Sequence, residues 1–155
     1  MVARRSTSAR GEPDLRLGPL RPVLQRLTAP LHARPTFLVI GAQKAGTTSL
    51  HRYLVEHPAV LCAEPKQVHF FDNGYDLGSA WYLTHFPARS EAREIRRTLG
   101  AAAVGEVAPA YLFHPQAAQR AHAFDPGLRL LAVLRDRVAL SPGPVPVPDP
   151  ALPAS

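Results

Sequence analysis

Between Thr36 and Ser49 the chain reads TFLVIGAQKAGTTS, and these residue types in this order are those that hold an anion. An apolar run, Phe37 to Ile40, meets a glycine turn, then Lys44, then Gly46-Thr47-Thr48-Ser49. A turn of this kind opening a helix leaves backbone N–H groups unpaired, and the positive end of the helix dipole falls at the same point. Lys44 adds a full charge, and Thr47, Thr48 and Ser49 add hydroxyl donors. The chemistry this predicts is phosphate binding. Lys44 and Lys66 are the only lysines, and the other 16 basic residues are arginines, which argues against an incidental lysine in the turn.

The position of the lysine narrows the kind of site. A nucleoside-triphosphate loop reads G-x-x-x-x-G-K-[ST]. Gly41 and Gly46 keep that glycine spacing, but Thr47 stands where the lysine belongs, and the lysine has moved to Lys44 inside the turn. The pattern [QP]-K-[AS]-G-T-[TS] after a strand resembles the 5′-phosphosulfate loop of sulfotransferases. These enzymes use 3′-phosphoadenosine 5′-phosphosulfate (PAPS) as donor.

Three further stretches extend the resemblance, in order, to about Asp136. Glu64-Pro-Lys-Gln-Val-His-Phe-Phe-Asp72 is similar to K-E-x-H-F-F-D, and Trp81-Tyr82 with Phe86-Pro87 echoes a W-Y…F-P pair of the glycan and heparan-sulfate type. Gly105-Glu-Val-Ala-Pro-Ala-Tyr111 matches G-E-x-[ST]-P-x-Y, and Leu134-Arg135-Asp136 ends an apolar run as the 3′-phosphate motif L-R-D-P-x-x-R-x-x-S does. Each of these is weak alone. Ordered behind the loop, they are a strong signal.

The resemblance implies sulfuryl transfer from PAPS to a hydroxyl on a carbohydrate, with positioning and electrostatics carrying the reaction. It assigns Lys44 to the bridging oxygen and the 5′-phosphate, and Gln43, Ala45, Gly46, Thr47, Thr48 and Ser49 to the loop around them. Arg135 would take the 3′-phosphate through its planar fork. Lys66 is read with the acceptor-facing segment. No divalent metal is called for, and the seven histidines show no ligand spacing.

Three departures stand out. Where relatives place a glutamate as base, three residues before the Phe-Phe pair, this chain has Gln67, an amide that accepts no proton near neutral pH. Glu64 and His69 are the substitutes in the same segment, with His69 read first as an orienting residue. Val107-Ala108 stands where many glycan-type members have Lys-[ST]. After Asp136 the chain reads Arg137-Val-Ala-Leu-Ser141, so Ser141 falls two positions short of the motif serine.

The elements that must position these residues alternate. Strands are expected at Phe37–Ile40, Val60–Cys62, Ala103–Val107 and Leu128–Leu134. Helices are expected at Thr48–Glu56 (Leu50, Tyr53 and Leu54 inward), Ser79–Phe86, Glu91–Leu99 and Gln116–Phe124. That alternation predicts an α/β, P-loop-like parallel sheet flanked by helices and incomplete on its C-terminal side. The strand ending at Leu134 has the character of a central strand that needs cover on both faces and neighbours on both edges. The prolines that follow can provide neither, so a bare edge and an uncovered face are expected. Residues 1–35 carry seven arginines against Glu12 and Asp14, which suggests a mobile basic arm. Within it Leu20, Val23, Leu24, Leu27 and Leu31 predict a short helix packed on the domain. The resemblance implies a partial sulfotransferase domain over residues 36–138, and the proline-rich 139–155 is expected to be an extended, disordered tail.

At 155 residues there is room for one domain. The net charge of +6 suits anionic ligands without choosing among them. One cysteine, Cys62, suits a reducing compartment, and no span or signal pattern is evident, so a cytoplasmic setting is expected. The rival readings are a truncated, non-catalytic remnant that binds the nucleotide, and a P-loop nucleotide or small-molecule kinase. Thr47 argues against the kinase. A basic nucleic-acid module rests on charge alone.

Overall fold

In the computed structural model, residues 20–135 are described. Residues 1–19 of the basic arm, Asp136, Ser141 and the proline-rich 139–155 lie outside them. The chain forms α1 (Arg21–Thr28), β1 (Phe37–Gly41), α2 (Thr47–Glu56), β2 (Val60–Cys62), α3 (Gly78–Leu83), α4 (Arg89–Leu99), β3 (Ala103–Val107), α5 (Ala117–Phe124) and β4 (Arg129–Ala132). All pairings are parallel, in the order β2-β3-β1-β4. This is the expected α/β sheet, and strand 1 lies inside it.

Alternation along β1 builds two layers, because successive side chains leave opposite faces of a strand. Phe37 and Val39 join Val107, Leu50 and Leu54, so α2 covers one face. Leu38 turns to the other face and an aromatic cluster that includes Phe70, Phe71, Tyr82 and Tyr111. There the rings of Phe70 and Tyr82 stack at 4.4 Å, while Phe71 meets Tyr111 edge-on at 5.4 Å. Gly105 pairs with Phe37 across the strands, and a Cβ on it would lie 2.7 Å from that ring. The glycine of the G-E-x-[ST]-P-x-Y stretch is therefore set by close approach of β1.

Two expectations need correction. Tyr53 does not face inward; it is 69% exposed, because α2 packs through the one-turn pair Leu50 and Leu54 and Tyr53 lies to the side of that stripe. The α1 helix forms, but its leucines face outward, since Ala29 supplies the buried contact after the helix. His32 Nδ1, 2.7 Å from the Phe86 carbonyl, and Ala33 N–H on Pro87 O then tie the segment down. At the edge of the sheet, among the described residues, stands β4, with all four of its residues exposed. Its apolar character matches a buried strand, but β1 alone pairs with it.

Candidate functional site

The site gathers at the C-terminal ends of the parallel strands. β1 ends at Gly41, and Ala42 N–H and Val133 O pair at 2.7 Å across to the segment after β4. Lys44 (φ 61°) and Gly46 (φ 94°) both take left-handed backbone, which folds the turn back on itself before α2. At Gly46 such a φ costs little; at Lys44 it is an uncommon conformation held by the loop. Gly46 is the N-cap of α2, and no side chain caps the helix, so its first N–H groups face outward with the exposed Thr48 and Ser49. Thr47 is buried beneath them, and Gln43 and Lys44 are exposed on the turn.

Lys66 arrives at the same point from a distant part of the chain. Val107 N–H donates to the Lys66 carbonyl at 3.3 Å, which fixes its backbone at the end of β3. Its Nζ donates to Thr48 Oγ1 at 3.1 Å. Burial, and then the charge of Lys66, hold the pKa of His51 below the ordinary imidazole value. His51, Glu64 and Lys66 share a cleft of about 490 Å³ with Cys62, whose thiol burial pushes up. Lys66 thus meets the first turn of the helix that the Lys44 turn opens. Arg135 lies three residues past β4 at this same end of the sheet, and it is exposed.

The candidate bases lie on the segment that follows. Gln67 and Glu64 are exposed. His69 takes φ 59° and places Nδ1 2.7 Å from Asp72 Oδ2, whose side chain is buried. A carboxylate on one ring nitrogen fixes the imidazole's orientation. Arg120 Nη1 donates to the carbonyls of Phe71 and Asp72, at 2.9 and 2.8 Å, and so fastens the end of the segment.

Glu106 fastens its middle, a role for which the sequence offered no more than a place in a motif. Fully buried, its carboxylate accepts from Tyr111 OH at 2.6 Å, Tyr82 OH at 3.1 Å and Val68 N–H at 3.2 Å. Tyr111 OH accepts in turn from Phe70 N–H at 2.9 Å. Burial raises the Glu106 carboxyl to about 7, against the pull of those three bonds and of His69. Val107 and Ala108 are fully buried, so neither reaches a ligand. Among the described residues no three His, Cys, Asp or Glu side chains gather into a metal set.

Known proteins resemble this chain over about two thirds of its length. No protein-family model matches the chain. Over 107 residues it is 33% identical to the membrane-associated sulfotransferase kil1 of Dictyostelium discoideum, covering 69% of this chain and 21% of that protein. Over 106 residues it is 37% identical to heparan sulfate glucosamine 3-O-sulfotransferase 6 of Homo sapiens, covering 67% of this chain and 28% of that one. The chain carries part of a sulfotransferase domain. A solved sulfotransferase from Alicyclobacillus acidocaldarius is 33% identical, with a TM-score of 0.46, over 64% of this chain and 44% of its own. This sulfotransferase segment spans less than a third of the two curated relatives. In it, the contact of Lys66 with Thr48 at the start of α2 is what the sequence reading did not anticipate. The signal was present: Lys66 is one of two lysines in a chain that otherwise uses arginine.

Proposed function

We propose that this domain transfers a sulfuryl group from PAPS to a hydroxyl of a carbohydrate. The observation that carries the reading is the uncapped N-terminus of α2, opened by the turn that holds Lys44 and met by Lys66 Nζ at Thr48. Gln43, Ala45 and Gly46 shape the loop, and Thr47, Thr48 and Ser49 lie where the 5′-phosphate would be held. Lys44 and Lys66 neutralise charge that develops on the bridging oxygen as the sulfur–oxygen bond breaks. PAPS supplies the activated sulfuryl group; the acceptor oxygen forms the new bond to sulfur, and its proton passes to a base on the 64–69 segment. Arg135 suits the 3′-phosphate, because a guanidinium offers a bidentate fork. Lys66 also provides a cation beside Val107, where glycan-type relatives carry lysine. The single cysteine supports a cytoplasmic setting, and no helix among the described residues is long and apolar enough to cross a membrane. A nucleotide-binding remnant without turnover is the second reading, favoured by Gln67.

Calorimetry tests the donor site. Adenosine 3′,5′-bisphosphate is expected to bind more tightly than ATP, with no gain from magnesium. Lys44→Ala should weaken it by about 1.5–3 kcal/mol, the worth of a charge-assisted contact. Sequence alone makes Lys66→Ala the milder change; with Nζ on Thr48, its loss is expected to be of the same order. Tighter, magnesium-dependent ATP binding would overturn the reading in favour of a kinase.

A further inference from the structure

At the opposite end of the sheet from the donor loop lies a second basic surface. Arg34 and Thr36 precede β1, and with Arg89, Arg93, Arg96 and Val104 they line a cleft of about 260 Å³. A neighbouring cleft of about 440 Å³ shares Arg34 and Arg89 and adds Arg26 and His32. On α4 the spacing of Arg89, Arg93 and Arg96 puts all three on one face, while Glu91 and Glu94 fall on another. Glu94 is taken by Arg97, at 2.6 Å. Arg26, Arg89, Arg93 and Arg96 form no ion pair among the described residues. Arg34 is tied in by Phe124, whose carbonyl accepts from Nη2 at 3.3 Å.

Beside these clefts stands the outward apolar stripe of α1 and the turn that follows it. Leu20, Val23 and Leu24 are exposed, and Leu27 and Leu31 are 68% and 67% exposed. The 29–31 turn packs against both α3 and α4, and Arg26 of α1 lines the same cleft as Arg89 of α4, so the stripe and the arginine row are neighbours. The sequence before α1 brings Arg4, Arg5, Arg10 and Arg16 against Glu12 and Asp14. A soluble polyanion would pair with the arginines and leave five large aliphatic side chains in water. An anionic bilayer takes both, with aliphatic groups below the headgroups and guanidinium groups among the phosphates. We propose that α1 and the Arg89–Arg93–Arg96 face of α4 form a docking surface for an anionic membrane. The donor loop then faces away from the lipid. This inference does not depend on the sulfotransferase chemistry.

Co-sedimentation of the full chain with vesicles tests it. The chain should bind vesicles of equal parts phosphatidylglycerol and phosphatidylcholine, bind phosphatidylcholine alone far less, and be released by salt. The pair Arg93→Gln and Arg96→Gln should lower the partition coefficient about thirty-fold, and Leu24→Gln with Leu27→Gln at least about tenfold. All four positions are exposed, so circular dichroism should not change. Leu130→Gln, on β4, should leave binding intact. Equal binding to neutral vesicles, no binding to either, or an equal loss with Leu130→Gln would each overturn the proposal. So would binding to a sulfated glycan or RNA that needs the arginines, joined to vesicle binding indifferent to the leucines. Self-association abolished by the leucine changes, with no vesicle binding, would instead make the stripe a contact between copies.

Discussion

Replacing Gln67 with glutamate should raise turnover by about 10²–10⁴-fold, the usual contribution of a positioned general base. The amide now at this position can orient an acceptor hydroxyl but cannot take its proton near neutral pH. Because Gln67 is exposed, a carboxylate there meets little desolvation, and its carboxyl should stay ionised under assay. The backbone that carries it is already held, since the next residue, Val68, donates its N–H to buried Glu106. The added group should therefore arrive in place. Transfer of labelled sulfate from PAPS to a panel of hydroxylated glycans reads the result. A fall in turnover would show that Gln67 has its own task and that the base lies elsewhere. His69 would then be first in line, because Asp72 holds its Nδ1 and leaves the other ring nitrogen for the proton. Loss of activity in His69→Ala, with Glu64→Gln unaffected, would locate it.

Glu106→Ala should be the most damaging change to the fold. It strands two tyrosine hydroxyls and the Val68 N–H in a dry interior, each at about 1–3 kcal/mol. The sum is about 3–9 kcal/mol, a large fraction of a small domain's stability. Glu106→Gln keeps an acceptor oxygen and should cost much less. The wild-type carboxyl also makes stability depend on pH. Its pKa is raised in the folded state from 4.5 to about 7, so the folded protein binds the proton more tightly than the unfolded chain. The contribution is complete below about pH 4.5 and is lost as pH rises to about 7, by about 3 kcal/mol in all. Urea unfolding at several pH values should show this fall in the wild type and a flat profile for Glu106→Gln. Stability that rose with pH in the wild type but not in Glu106→Gln would mean that the three donors outweigh burial, and that the carboxylate is held charged.

Much of the site was legible because it is local. The Gly41–Ser49 turn joins a strand to a helix within a few residues, and its glycine, lysine and hydroxyl positions carry their own conformational and chemical meaning. The same holds for the sheet class, since strand and helix periodicities differ, and the observed bounds of β2 and β3 coincide with the apolar runs. Helix α1 was legible as a helix. Its facing was not, because a stripe of leucines says that a face is apolar without saying what covers it.

By itself, then, the sequence determined the anion loop, the α/β alternation and the motifs that mark a sulfotransferase. The tertiary structure alone decided which distant groups meet. Lys66 reaches Thr48 across 18 residues, and Glu106 reaches Val68 across 38. Those contacts follow from the parallel register of β1 and β3, which sets Val107 N–H on the Lys66 carbonyl and buries Glu106 beneath the aromatic rings. Register is fixed by packing on both faces of the sheet at once, and no window of neighbouring residues contains that information.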